Sequence, residues 1–329
     1  AETQAQIKAQ KGTLVNTTHK NAANMLSNSM LTNQLAGGYG GSNMRKSIEA
    51  NPEKTEEIYK NTMNNLPKTE RLILSFENEW LTISLHHPET RNALSQQLTD
   101  EIKVTIESIQ NDNSIRGVTF RGEGGIFCAG GDLNALKTRR SMTEEQRYET
   151  LNQLNGTIEA IYNCSKPVIS AIEGGAAGAG VSLAMACDLV VMSEHTFFSL
   201  AYVKIGLTPD GAATKFLSET MPRQLLSEMA MIGGKIDSSR LYQIGAVNVL
   251  AQKGNAKETA MELSKNFENL PKNSISRIKK LTRSAYGNNF AEQIKLETDF
   301  MVQSQGDDES IEGIDSFLEK RSPDYKKLR

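Results

Sequence analysis

Residues 166–190 read KPVISAIEGGAAGAGVSLAMACDLV, and this one run contains the pattern that decides the fold. The apolar stretch Pro167–Ile172 predicts a buried strand, and a turn of glycine and alanine follows it. Gly180–Cys187 then predicts a helix and Leu189–Met192 the next strand. A strand, a helix and a strand in this order are typical of a parallel sheet whose helices cover its faces. The run therefore predicts an α/β protein.

The same pattern extends upstream of this run. Leu72–Phe76 and Trp80–Leu85 predict paired strands, the apolar residues of Leu98–Ile109 have helical spacing, and Gly117–Phe120 predicts another strand. A further helix is predicted to begin with a capping box of Thr143 and Gln146. Beyond residue 211 the chain is predicted to be mostly helical, with helices near 222–232, 237–244, 256–268, 274–285 and 289–304.

The first part of the chain differs in composition from the rest. Residues 1–71 are rich in Asn, Thr, Ser and Met. The first 46 residues contain five basic residues and a single acidic residue, Glu2. Both flexible tails and import peptides have this bias, and a local helix is predicted to begin at Asn51 and Pro52. We therefore predict a flexible arm over 1–71, a core with the functional site over 72–256 and a C-terminal helical region over 257–329.

Composition excludes several classes of protein. The 37 basic and 39 acidic residues give a net charge of −2, which predicts neither a nucleic acid nor an anionic membrane as partner. No apolar run reaches the ~18 residues of a membrane span. The three cysteines lack CxxC spacing and no metal-ligand cluster emerges, so we expect reduced thiols and no metal. A cytoplasmic location is the expectation, with import into an organelle matrix left open by the basic start.

Two glycine-rich turns are the candidates for chemistry, because each follows a strand and leads into a helix. They read RGEGGIFCAGGDL at 121–133 and EGGAAGAGVS at 173–182. Small residues leave backbone N–H groups uncovered, and a helix N-terminus adds its dipole, so two such turns facing one point would form an oxyanion hole. The alternative is that the small residues only allow strand and helix to pack closely.

Other sites fit these turns less well. A dinucleotide site of GxGxxG type lacks its third glycine because Leu183 stands there, and neither turn has the Gly-Lys-Ser/Thr of a P-loop. Ser182 in GVSLA resembles the nucleophile of a serine hydrolase, but the only later histidine is His195, which follows too closely. Asp210, in IGLTPDG at 205–211, is either a helix N-cap or a carboxylate that shares a pocket with Tyr202 and Lys204.

Together with other segments, these turns resemble the crotonase superfamily, the enoyl-CoA hydratase and isomerase family, over residues 72–329. The matching segments are HPETRNALS at 87–95, FCAGGDL at 127–133, the run 166–190 quoted above, FFSLAYVKIGLTPDG at 197–211 and FLEKRSPDYK at 317–326. The resemblance implies a β-β-α spiral with a helical C-terminal region that forms trimers or pairs of trimers. It implies an acyl-CoA thioester substrate and no separate cofactor, since CoA is part of the substrate.

The resemblance also assigns residues to the site. The N–H groups of Gly131 and Ala179 are expected to polarise the thioester carbonyl. The residues expected to bind the CoA part are Arg91, Ala93, Ala129, Asp132, Leu133, Phe317 and Lys320. Phe317 and Lys320 match a pair that reaches a neighbouring subunit's CoA in relatives. Two simpler roles stay open, a solvated Lys320 and an Asp132 that only caps a helix.

The chain departs from the hydratases at their two catalytic glutamates, which map onto Ser182 and Tyr202. Asp210 matches the aspartate of family isomerases that shift double bonds, and GLTPDG is similar to members of phenylacetate and oxepin-type aromatic degradation. The resemblance therefore favours a double-bond isomerase, or a related lyase or hydrolase of aromatic catabolism, with Asp210 as acid/base. Tyr202 orients the acyl group or a water, or is only a pocket wall. The alternatives are an enoyl-CoA hydratase and a non-catalytic acyl-CoA binding or scaffold protein.

Overall fold

The computed structural model describes residues 52–328, with side chains from residue 56 onward. Pro52 is the first residue of helix α1 (Pro52–Asn65), as expected of a proline in a first helical turn. The predicted cap Asn51 lies outside the described residues. The chain divides into two units between Glu57 and Ile58, and the fold described below is that of the second unit.

The strands and helices alternate through the first half of this unit. The strands of the described residues are β1 (Leu72–Glu77), β2 (Trp80–Leu85), β3 (Gly117–Gly122), β4 (Val168–Ile172), β5 (Ala176–Ala177), β6 (Leu189–Ser193), β7 (Phe197–Ser199), β8 (Lys235–Asp237) and β9 (Val249–Ala251). The helices after α1 are α2 (Gln96–Ser108), α3 (Leu133–Thr138), α4 (Glu144–Tyr162), α5 (Ala179–Met185), α6 (Ala213–Ser218), α7 (Arg223–Ile232), α8 (Ser238–Gln243), α9 (Ala256–Ser264), α10 (Lys272–Ser284), α11 (Phe290–Gln305) and α12 (Asp308–Leu318). Short 3-10 helices span Pro88–Thr90, Arg139–Ser141, Ala201–Ile205, Lys265–Phe267 and Tyr325–Leu328.

Two sheets organise the core. The larger has six strands in the order β1-β2-β3-β4-β6-β9, in which β1 and β2 pair antiparallel and every later pair is parallel. The smaller has the order β5-β7-β8. The α/β prediction is confirmed, because helical crossovers connect parallel neighbours of the larger sheet.

Buried residues cover both faces of the larger sheet. Successive side chains of β4 point to opposite faces, so Val168 joins the larger apolar cluster and Ile169 the smaller one. The larger cluster includes α2, α4 and α5, whereas Ala256 and Ala260 of α9 close the smaller one. The crossover helices therefore hold the carboxyl ends of β3 and β4 in fixed positions.

Several elements differ from the prediction. The strands β5, β7, β8 and β9 were not predicted, since two or three residues carry no recognisable alternation, and α12 was missed at the chain's end. The predicted capping box is confirmed, with Thr143 and Gln146 bonding each other's backbone N–H groups. Leu66 lies in the larger apolar cluster and Thr62 hydrogen-bonds Ser114 at 2.7 Å. This part of the predicted arm therefore packs against the core.

The C-terminal helices are attached by a charged cluster. Asp188, in the turn between α5 and β6, accepts from Lys279 and Arg283 of α10, each at 2.7 Å. Lys279 also donates to the carbonyl of Lys166 at 2.8 Å. These charged groups are largely removed from water. Removing one of them would therefore leave a buried charge without its ion-pair partner, which destabilises the fold. The cluster therefore ties α10 to the strand ends of the core.

Candidate active site

The last four residues of the second glycine-rich turn are helical, because α5 begins at Ala179 directly after Gly178. Gly178 has φ +53° and ψ −130°, a backbone conformation that residues with a side chain rarely adopt. Its N–H donates to the carbonyl of Ser199 at 2.9 Å, which ties the turn to β7. Ala179 is the first residue of α5, and the first N–H groups of a helix have no intrahelical acceptor. The Ala179 N–H is therefore one of the helix N-terminal groups that have no acceptor within α5.

The first glycine-rich turn contacts the second one backbone to backbone. Gly130 has φ +97°, and a Cβ built on it would lie 2.6 Å from the carbonyl oxygen of Ala177. The Ala177 N–H donates to the carbonyl of Cys128 at 3.0 Å. Gly131 follows Gly130, as Ala179 follows Gly178 at the other turn. The structure thus brings the two turns into contact at the residues that precede Gly131 and Ala179, and among the turn and loop bonds of residues 52–328 neither of these two N–H groups has an acceptor.

Tyr202 and Asp210 form the polar pair beside these turns. The Tyr202 hydroxyl donates to Asp210 Oδ1 at 2.6 Å. It also lies 3.6 Å from where a Cβ on Gly178 would stand, which places the pair next to the oxyanion turns. The N-cap interpretation of Asp210 is wrong, because Ala212 occupies the cap of α6 and has no side-chain cap bond. The Asp210 carboxylate therefore does not cap α6, and its hydrogen-bond partner is Tyr202.

The environment of Asp210 changes the pKa of its carboxyl group. Burial raises the pKa of Asp210 above its ordinary value, while the Tyr202 hydrogen bond and the positive charge of Arg139 act in the opposite direction. Burial, together with the charge of Asp210, raises the pKa of the Tyr202 phenol well above its usual range. Tyr202 therefore stays protonated as a hydrogen-bond donor, and Asp210 is the member of the pair whose carboxyl can titrate.

The side chains of Ser182 and Cys128, which belong to the two turns, are fully buried. The fully buried Ser182 hydroxyl donates to the backbone carbonyl of Asp210 at 3.0 Å, so it is not paired with a histidine as a nucleophile would be. Burial raises the pKa of the Cys128 thiol to about 12, which keeps it protonated. His195 lies in the turn between β6 and β7 with φ +61°. Within residues 52–328, Ser182 therefore lacks the histidine partner of a serine-hydrolase nucleophile.

The segment predicted to bind CoA is tied to the first turn. The Arg91 carbonyl accepts from the Ala129 N–H at 2.9 Å, and the buried Ala93 follows Asn92 on the same loop. The sequence interpretation missed Asn92, whose buried amide accepts from the His87 N–H and donates to the carbonyls of Glu123 and Ile126. The available signal was an asparagine in the turn-like segment HPETRN, since asparagine tolerates the left-handed conformation that Asn92 adopts at φ +55°.

The remaining predicted residues are more peripheral. Asp132 caps α3 by accepting from the N–H groups of Asn134 and Ala135, and Leu133 is 65% exposed. Phe317 is 79% exposed at the end of α12, where Lys320 follows at φ +55°. Within the described residues no hydrogen bond or ion pair connects Phe317 or Lys320 with the glycine-rich turns. Their predicted contact with CoA remains a prediction.

Two cavities of the described chain lie away from the glycine-rich turns, and one of them is lined by Glu77, Trp80 and Phe267. A cavity of about 270 Å³ opens beside Arg116 and Lys166, which precede β3 and β4, at the sheet edge opposite the glycine-rich turns. Ligands of parallel α/β sheets bind at the carboxyl ends of the strands, where the turns lie. Residues 52–328 contain no group of His, Cys, Asp and Glu placed to hold a metal ion. No helix in that range is long and apolar enough to cross a membrane.

Comparison with known proteins relates this geometry to a family. A family model described as Enoyl-CoA hydratase/isomerase matches residues 75–328. The chain belongs to this family. The crystal structure of an enoyl-CoA hydratase from Polaromonas sp. JS666 is similar with a TM-score of 0.74 and 36% identity, covering 77% of this chain and 98% of that one.

Curated relatives within the enoyl-CoA hydratase/isomerase family have mixed names. A probable mitochondrial enoyl-CoA hydratase of Arabidopsis thaliana is 32% identical over 246 residues, 74% of this chain and 81% of that protein. The 1,2-epoxyphenylacetyl-CoA isomerase of Escherichia coli strain K12 is 27% identical over 263 residues, 78% of this chain and 98% of that protein. The predicted crotonase fold and family are confirmed.

Proposed function

We propose that this protein is an acyl-CoA double-bond isomerase in which Asp210 is the single acid/base. The thioester carbonyl lies between the N–H groups of Gly131 and Ala179, and CoA enters with the substrate, so the reaction uses no separate cofactor. The observation that carries the proposal is the 2.6 Å hydrogen bond from Tyr202 to Asp210, placed beside the two oxyanion turns.

The reaction follows from these groups. Ionised Asp210 removes a proton from the α-carbon of an unsaturated acyl chain, and the negative charge moves to the thioester oxygen between the two N–H groups. The same carboxyl then returns the proton at the γ-carbon as the double bond moves. One proton is transferred and nothing is added, so a single carboxyl suffices. Each oxyanion donor contributes about 3 kcal/mol to the barrier reduction.

Hydration is the second candidate, supported by the name of the Arabidopsis relative. Water addition needs groups that orient the water and transfer its proton, and here Tyr202 and Asp210 would form that pair. By the resemblance, Ser182 and Tyr202 occupy the positions of the hydratase glutamates, which leaves one carboxylate at the site. This single carboxylate favours isomerisation.

A panel of 3-enoyl-CoA, 2-enoyl-CoA and ring-bearing CoA thioesters tests the proposal. An isomerase shifts the conjugated enoyl absorbance at constant mass, whereas a hydratase adds the mass of water. Exchange of an α-proton of butyryl-CoA for deuterium in D₂O reports proton removal separately, because this saturated substrate has no double bond to move. A protein that binds acyl-CoA without any turnover or exchange would be the non-catalytic binder, contrary to the proposal.

The Asp210→Asn variant is the decisive perturbation. We expect isomerisation and α-exchange to fall by about 10²-fold or more, within the range for a general acid/base, while CoA-ester binding is retained. Asp100→Asn is the matched control, because Asp100 is exposed on α2 and only accepts from Gln96. Full activity of the Asp210→Asn variant would overturn the assignment.

We also propose that the protein assembles as a trimer or a pair of trimers through its C-terminal helices. The described residues of α11 and α12 expose large apolar side chains, among them Phe290 at 83%, Val302 at 63% and Phe317 at 79%. Exposed apolar patches of this kind mark protein interfaces. Light scattering after size exclusion gives the mass directly, and a monomer at micromolar concentration contradicts the proposal.

A further inference from the structure

The helix α5 touches both halves of the proposed site. Its first residue, Ala179, contributes an oxyanion N–H group, and Ser182 stands three residues later on the same side of the helix. Ser182 is fully buried, and its hydroxyl donates to the backbone carbonyl of Asp210 at 3.0 Å. One helical turn therefore connects the oxyanion donor to the residue that carries the acid/base.

The loop of Asp210 approaches α5 unusually closely. Gly211 has φ +57°, and a Cβ built there would stand 3.0 Å from both Cβ and Oγ of Ser182. The Asp210 carbonyl also accepts from the Ala213 N–H at 3.1 Å. Two donors thus hold the same carbonyl from two sides, Ser182 from α5 and Ala213 from the start of α6.

We propose that Ser182 is a positioning residue, whose hydroxyl fixes the backbone of Asp210 at a set distance from the Ala179 N–H group. This inference rests on the proposed function. Tyr202 orients the carboxylate, and Ser182 holds the backbone from which that side chain extends. We call the hydrogen bond from the Ser182 hydroxyl to the Asp210 carbonyl the tether. Because Ser182 is part of a rigid helix, the distance between the base and the oxyanion hole does not depend on the loop 205–211 alone.

Ser182→Ala removes this tether and little else. Without it we expect the carboxylate to move relative to the α-carbon, and a displacement of about 1 Å lowers rates by up to 10²-fold. We therefore expect kcat for α-deuterium exchange with butyryl-CoA to fall by about tenfold or more, with KM changed by less than about twofold. The acid limb of the rate profile should move to lower pH, since a less buried Asp210 has a pKa nearer its ordinary value.

The matched control is Ser193→Ala. Ser193 is also fully buried and its hydroxyl also donates to a backbone carbonyl, that of Gln252 at 3.2 Å. We expect a similar loss of thermal stability from both variants, but an unchanged kcat and pH profile for Ser193→Ala. A merely structural serine at position 182 would behave like this control.

The outcomes separate the two proposals. If Ser182→Ala has the kcat and pH profile of wild type while Asp210→Asn is inactive, the tether is wrong and the proposed function stands. If Asp210→Asn is fully active, the proposed function fails first. Butyryl-CoA binding by Ser182→Ala, measured by calorimetry, distinguishes a displaced base from a misfolded site, and loss of binding together with activity contradicts the tether.

Discussion

Gly130 provides the sharpest test of the backbone oxyanion site, because it stands where the two glycine-rich turns meet. A Cβ at Gly130 would lie 2.6 Å from the Ala177 carbonyl oxygen and 3.4 Å from Gly178 Cα. Real Cβ atoms do not approach a backbone oxygen this closely, so Gly130→Ala must push the turns apart by several tenths of an ångström. In the proposed site, the N–H groups of Gly131 and Ala179 would then no longer point at one oxygen.

Gly125 offers a control within the same turn. It also has a positive φ, +77°, but a Cβ there would meet nothing within 4 Å. Both substitutions place alanine in a left-handed conformation, which destabilises by about 1–2 kcal/mol. Only Gly130→Ala adds the clash with the facing backbone.

The expected difference lies in catalysis. Loss of one well-placed oxyanion donor lowers kcat by about 10²-fold, or about 2.7 kcal/mol. We expect this loss in α-deuterium exchange for Gly130→Ala and a kcat within about twofold of wild type for Gly125→Ala. Thermal unfolding reports the strain that both share. Equal kcat values for two folded variants would refute the view that contact between the turns builds the oxyanion hole.

Three further predictions concern the polar groups of the site. Tyr202→Phe removes a hydrogen bond that lowers the pKa of Asp210, so this pKa should rise and the acid limb of kcat/KM should move to higher pH; an unmoved limb contradicts the role of Tyr202. In Asp210→Asn the thermal stability relative to wild type should increase as pH rises from about 4 to about 8. The reason is that the Asp210 carboxyl, whose pKa is raised in the folded state, stabilises the wild-type fold below its unfolded pKa. This contribution is lost as the pH rises through the folded pKa. A pH-independent difference in stability between the two proteins would show that burial does not raise the pKa of Asp210. Asn92→Ala leaves three backbone groups without their hydrogen bonds to the buried amide. We expect the free energy of unfolding in urea to fall by about 2–3 kcal/mol. A fall below about 0.5 kcal/mol would mean that water replaces these bonds.

Hydrophobic periodicity was sufficient for most of the larger sheet and its crossover helices. Strands of five or six residues, such as β2 and β4, carry enough apolar positions to be recognised, and the helices between them repeat at helical spacing. The glycine-rich turns were visible for the same local reason, since small residues stand out after an apolar strand. The short β5 and β7, which frame the second turn, have no such pattern.

The sequence by itself determined which chemical groups stand at the carboxyl ends of the strands, because alternation, glycine and charge are local properties of the chain. Only the tertiary structure decided what those groups contact. By sequence Asp210 was compatible with a helix cap, but Ala212 occupies the cap of α6 and Tyr202 donates to the Asp210 carboxylate. By sequence Ser182 resembled a nucleophile, but its hydroxyl donates to the Asp210 carbonyl. The bond from Ser182 spans 28 residues, and no periodicity extends across such a separation. Packing of α5 against the loop creates that contact, and packing depends on the whole fold.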